Sequence, residues 1–297
     1  MEQSGESRNG GAGPRGPASR RKGEIFARLG RIDRRWLYLV IAVAVGGVLL
    51  RPLDLPIPIT EEVRKVYDAI EELPAGTPVL VSFDFGAPSM PELQPMATAV
   101  VRHCFRRGLR VVGLGLLPEG TSIGAQVLDS VAEEMDKVYG IDYVHLGYKP
   151  QIEAAILGMG EDIARVFPRD FRSLPTADHP VMQGIKNYRD VPLVVAFASG
   201  TEMVLWIQYA GARYGQRIVA GAAAVMATVF YPYLDSGQIE GLIPGLRGAS
   251  EYEQLIGTVG RASRGMDAQS VAHLLIICFI VLGNVGYLAS RHTRGER

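Results

Sequence analysis

The chain has 297 residues, room for one domain of about 200 residues between terminal segments of another character. Lysine plus arginine and aspartate plus glutamate each total 31, so the overall charge points neither toward nor away from nucleic acid. Two cysteines, Cys104 and Cys278, fall in segments of opposite character, which excludes a disulfide framework and a cysteine-rich zinc site.

Residues 1–22 are rich in Gly, Ser, Pro and Arg and are expected to be a disordered tail. In 23–35, Ile25, Leu29, Ile32 and Trp36 recur at helical spacing with Arg28, Arg31, Arg34 and Arg35 between them. That is the pattern of a basic amphipathic juxtamembrane segment, and it also serves as a plain positive-inside signal. An uninterrupted apolar run, WLYLVIAVAVGGVLL, begins at Trp36. With its flank it is read as a transmembrane helix over 36–55, uncleaved because no small-x-small site follows Leu50. A second apolar run, VAHLLIICFIVLGNVGYLA, predicts another transmembrane helix over 270–290, after a polar linker at 259–269 and before a short tail at 291–297. Seven basic residues, from Arg20 to Arg35, precede the first run, and three arginines follow the second. Both imbalances put the termini in the cytoplasm and the middle of the chain outside it. Gly46-Gly47 and Gly283-x-x-Gly286 would allow close helix packing, although glycine is common in such helices.

Between the runs, 60–258 alternates short apolar stretches with helical periodicity. Val63, Tyr67 and Ile70 share a helical face behind Thr60, a candidate N-cap. Strands are expected at 78–85, 109–117, 141–148, 191–199 and 217–225, with a weak sixth near 239–243. The intervening helices are expected at 91–107, 123–138, 150–166, 201–215 and 226–235, with a last one at 250–256. Phe167 to Asp190, with three prolines, reads as an irregular segment. Strands apolar on both faces that alternate with helices predict an α/β domain. Its sheet would be doubly wound and mostly parallel, Rossmann-like or flavodoxin-like, with five to six strands, flanked by N- and C-terminal transmembrane helices.

Ligands of such sheets bind at the carboxyl ends of the strands. That edge would gather Asp84, Glu119, Lys149, Ser199, Gly200, Thr201 and Glu202 as ligand- or partner-binding candidates. Ser199-Gly200-Thr201 could present free amides to an anion, or Ser199 or Thr201 could simply cap the next helix. Asp84 could act as a base or cation ligand, or cap the turn at Gly86. Gly120 to Gly124, GTSIG, matches the G-x-S-x-G of a nucleophile elbow and makes Ser122 a candidate catalytic residue. Against it, Pro118 and Glu119 separate the motif from the strand, and the acid and base would have to come from Asp142, Asp162, Asp178, His145 and His179 without a telling context. The glycines of GLG (113–115) and GMG (158–160) lack the dinucleotide spacing, and no P-loop is present. No cofactor and no metal are expected. His103 and Cys104 are adjacent and point apart on a helix, and the domain lacks the basic and aromatic clustering of a nucleic-acid interface.

The expectation that follows is an accessory or assembly subunit of a membrane complex, with the lipid bilayer and a membrane protein or a second copy as partners. A membrane-anchored hydrolase or transferase is the rival, and so is a small-ligand receptor with 167–190 as its lid. If the helix after the first run leaves the membrane and the first strand returns, the carboxyl edge would face the bilayer.

Overall fold

The computed structural model describes residues 33–53 and 55–294. The tail at 1–22, nearly all of the juxtamembrane segment at 23–35, and the end of the 291–297 tail lie outside those residues. The chain divides into two units, residues 52–267 and the flanking segments to either side.

In the flanking unit, helix α1 (Arg34–Leu50) starts at Asp33, whose carboxylate accepts the Arg35 amide at 3.0 Å. It ends earlier than the expected 36–55 because Arg51 is extended and Pro52 and Pro56 follow. Among the described residues, a Cβ added at Gly46, Gly47 or Gly283 would meet nothing within 4 Å.

The 52–267 unit opens with α2 (Glu61–Glu71), then β1 (Pro78–Asp84), α3 (Met90–Arg106), β2 (Arg110–Gly115), α4 (Pro118–Glu134) and β3 (Tyr143–Tyr148). Helices α5 (Ile152–Met159) and α6 (Ile163–Val166) divide the single helix expected at 150–166, and the following segment carries only short 3-10 turns. Then come β4 (Leu193–Ala198), α7 (Glu202–Trp206) widening into a π turn at Ile207–Ala212, β5 (Ile218–Ala222), α8 (Ala224–Asp235), β6 (Gly241–Pro244) and α9 (Gly245–Leu255). The last helix, α10, runs over Arg261–Arg294. Among the described residues it alone is long and apolar enough to cross a membrane, over Arg261–Leu288. The stretch 259–269, expected as a linker, is therefore helical from Arg261.

All six strands are parallel, in the order β3-β2-β1-β4-β5-β6. That is the doubly wound order of dinucleotide-binding sheets rather than the flavodoxin order. Alternate residues of each strand feed two cores. Val79, Val81 and Phe83 pack under α2, α3, α4 and α9, while Leu80, Val194 and Ala196 pack under α5, α7 and α8. A strand buried on both faces must be apolar at every position, which is why these runs show no alternation.

Helix α2 keeps its expected start but not its expected cap, and α4 starts early. Thr60 stands at the N-cap position of α2, but its side chain makes no capping bond. Its amide and hydroxyl both donate to Glu251 Oε2, at 2.8 and 2.7 Å. Helix α4 begins at Pro118 instead of residue 123, because proline at a first helical position needs no amide partner and presets φ.

Candidate functional site

The strand order reverses at β1, whose neighbours β2 and β4 carry crossovers to opposite sides, and this is where doubly wound sheets form their crevice. Asp84, the last residue of β1, lies there with no exposed surface. A buried carboxylate must be compensated. Oδ1 accepts the Leu116 amide at 2.8 Å, and Oδ2 accepts the Ser82 hydroxyl at 2.7 Å and the Trp206 indole N–H at 2.9 Å. The Asp84 carbonyl takes the Ser199 amide at 3.2 Å. One side chain thus ties β1 to the loop after β2 and to the helix after β4. Burial pushes its pKa up to about 6, against the pull of its three donors, and the charge of Glu202 adds to the rise. Asp84 does not cap the turn at Gly86.

Of the four residues that follow β4, Ser199 bonds the Asp84 carbonyl through its amide and Glu202 acts on Asp84 through its charge. Thr201 occupies the N-cap position of the five-residue α7 without a side-chain bond, so ordinary capping does not explain it. Glu202 folds back over Gly200, where an added Cβ would lie 2.8 Å from Oε2, and that oxygen is buried without a hydrogen-bond partner.

The remaining candidates sit around this point. Glu119, in the first turn of α4, reaches across to the loop after β1, and its Oε2 accepts the Ala87 amide at 3.0 Å. Glu92, not singled out from sequence, does the same for α8 by accepting the Ala224 amide at 2.7 Å. Both amides stand where a parallel sheet offers donors to a phosphate, and each is already bonded to a carboxylate of the chain. Pro88 in the loop after β1 and Pro91 in the first turn of α3 remove two further N–H groups. Lys149 follows β3, two strands away, about 10 Å at the usual strand spacing. It lines a separate cavity of about 390 Å³ with Tyr148, Phe167 and Arg169.

Ser122 is exposed in the second turn of α4, not at a sharp strand-to-helix turn. The glycines beside it have a packing role. A Cβ at Gly120 would stand 2.0 Å from the Phe83 carbonyl oxygen, and one at Gly124 would stand 2.5 Å from the Phe83 ring. They let α4 lie directly on β1. Gly113 and Gly115 of the GLG run likewise leave room for Leu128 and Thr121 of the same helix.

Among the possible acid–base partners, His145 is buried, and its Nε2 lies 2.8 Å from the Thr121 carbonyl. A carbonyl only accepts, so Nε2 holds the proton. Nδ1 has no hydrogen-bond partner, and burial lowers the ring's pKa. His179 donates from Nε2 to Asp170 Oδ2 at 2.8 Å, and the same oxygen accepts the Tyr139 hydroxyl at 2.7 Å. Asp170 was not a candidate from sequence. Together these residues fasten the irregular segment to the end of the sheet. Among the described residues, no group of three or more His, Cys, Asp or Glu could hold a metal ion.

The fold and site define a parallel α/β domain whose crevice is organised by an internal carboxylate. Compared with family models, curated proteins and solved structures, the chain matches none.

Proposed function

We propose that this chain is a two-span membrane protein holding its α/β domain outside the cytoplasm as an accessory or assembly subunit of a membrane complex. Helix α1 and the apolar part of α10 are the spans, and both termini are cytoplasmic. Support for the spans comes from the long apolar run of α10 and from the basic residues massed before α1. The observation that carries the role is the state of the carboxyl edge. Glu119 and Glu92 already bond the amides at which this strand order would receive a phosphate, and Asp84 is spent on Ser82, Leu116 and Trp206. An edge closed by its own carboxylates suits a docking surface better than a nucleotide site.

Protease protection on sealed membranes, with tags at both ends, tests the topology. Cleavage of the domain from outside with both tags surviving is expected, and a protected domain overturns the placement. Co-purification in mild detergent tests the role: a stoichiometric membrane partner is expected, and recovery of this chain alone counts against it.

A second reading is favoured by one feature, the pairing of Asp84, with its pKa near 6, with the unpartnered Glu202 oxygen. On that reading the edge serves a membrane-anchored enzyme or a small-ligand receptor. A serine-directed activity probe that labels Ser122 would favour the enzyme, and a ligand-dependent thermal shift would favour the receptor.

A further inference from the structure

Resting on the reading of α10 as a membrane span, we infer that the first turn of α8 inserts into the bilayer interface, with Val225 as its deepest side chain. Helix α8, AVMATVFYPYLD, holds one charged residue, Asp235, at its far end. Ala227 and Phe230 bury one side of it in the core. The opposite stripe, Val225, Thr228, Val229 and Pro232, is exposed and carries no charge, with Val225 82% and Val229 45% accessible. A surface helix in water ordinarily presents charged residues on its outer side. This stripe is that of a helix whose outer side is covered.

Its position in the domain identifies the cover. The start of α8 adjoins Gly245, where an added Cβ would come 2.7 Å from the Ala224 Cβ. Next in the chain, Leu246 lies against Gly265, 3.0 Å from a Cβ added there. Two residues on, Asp267 Oδ2 accepts the Leu53 amide at 2.9 Å. Both ends of the 52–267 unit therefore leave it beside the first turn of α8, on the carboxyl side of the sheet. From Asp267 only Ala268, Gln269 and Ser270 precede the apolar run at Val271. Four helical steps amount to about 6 Å. So short a tether keeps this corner of the domain at the lipid surface whatever partner is present. The contact is apolar: α8 has no basic residue, and the carboxylate of Glu92 is engaged with the Ala224 amide.

Site-directed spin labelling of the full chain tests this. Val225→Cys, Val229→Cys and Asp235→Cys are made with Cys278→Ala, since Cys104 is buried and Cys278 is exposed. Each labelled protein is placed in phosphatidylcholine nanodiscs, and collisions with oxygen and with a water-soluble nickel chelate are compared. A label at 225 should be several-fold less accessible to nickel than one at 235 and readily reached by oxygen, with 229 between them. The order should not change between low and high salt. Nickel access at 225 equal to that at 235, in protein that has entered the nanodiscs, overturns the inference and leaves the spans standing. Protection at 225 from both collision partners means that protein covers the stripe, and overturns it as well. A chain that does not enter the nanodiscs overturns the inference and the reading of the spans together.

Discussion

The indole N–H of Trp206 donates to Oδ2 of Asp84 at 2.9 Å, joining the end of β1 to the helix after β4 across the point where the strand order reverses. The two residues are 122 positions apart, and both are fully buried. Asp84→Ala would leave the Trp206 and Leu116 N–H groups buried without acceptors. At about 1–3 kcal/mol for each unmet donor, less some relief from removing a buried charge, the domain should lose about 3 kcal/mol. Thermal unfolding followed by Trp206 emission in detergent checks this. A loss below about 0.5 kcal/mol, the scale of a surface substitution, would mean that Asp84 is not what holds the crevice together.

The same carboxylate gives the domain a pH dependence of definite sign. Folded Asp84 titrates at about 6, against an ordinary 3.8. Between those values the folded chain holds a proton that the unfolded chain has released. Stability from this group therefore falls as pH rises from about 4 to about 6, then levels off, by about 3 kcal/mol at 1.36 kcal/mol per pH unit. His103 and His145 act in the opposite sense. Burial lowers their pKa values from 6.5, so the unfolded chain takes up their protons first as pH drops. The Asp84 contribution is accordingly read as a difference. The gap between wild type and Asp84→Asn should narrow as pH rises from 4 to 6, and a gap that stays constant would show that Asp84 does not titrate there.

How far the sequence reveals this arrangement depends on the range of each interaction. The strands announce themselves because VPLVVAFAS and LRVVGLGLL are apolar at nearly every position, the requirement of a sheet covered on both faces. Strand order is silent in such runs, since any of them could neighbour any other. Asp84 stands out as the one charge in PVLVSFDF, but its partners Leu116 and Trp206 are brought to it only by the fold. Local signals also misdirect. Gly120 and Gly124 look like turn residues and are packing residues in α4, set against Phe83. Gly260 and Gly265 suggest a linker, yet the helix starts at Arg261 because a glutamate from α9 supplies its cap.

Asp170 holds the irregular segment by three bonds, to the Tyr139 hydroxyl, His179 Nε2 and the Leu174 amide at 2.7, 2.8 and 2.8 Å. Arg172 lies over the Tyr139 ring at 3.6 Å and adds to the same cluster. Asp170→Ala should release the segment without unfolding the sheet, because the strands on either side keep their own ladders. Hydrogen exchange is the measurement. Amides of 168–182 should exchange at least tenfold faster, equivalent to 1.4 kcal/mol or more of local stability, with 193–198 unchanged. Equal acceleration in both regions would make Asp170 part of the global core instead.

Glu253 is the cap that starts the last helix. Its Oε1 accepts the Ala262 amide at 3.1 Å, and its Oε2 accepts the Gly260 and Ser263 amides at 3.1 and 2.8 Å and the Ser263 hydroxyl at 2.7 Å. Four donors converge on a carboxylate with 2% of its surface exposed, at the positive end of a helix dipole. Gly260 fits because a side chain there would strike the carboxylate, with an added Cβ only 2.1 Å from Oε1. Glu253→Ala removes all four acceptor contacts and should unwind the first turn of α10 from the domain at a cost of about 3 kcal/mol. Arg261 and Arg264 lie exposed in that turn, so trypsin reports the change directly. Cleavage there should rise sharply in Glu253→Ala while the rest of the domain stays resistant. Gly260→Ala should raise it in the same place. If neither variant is cut faster than wild type, the first turn of α10 is held by its packing against Leu246 and Ser250 and not by the cap.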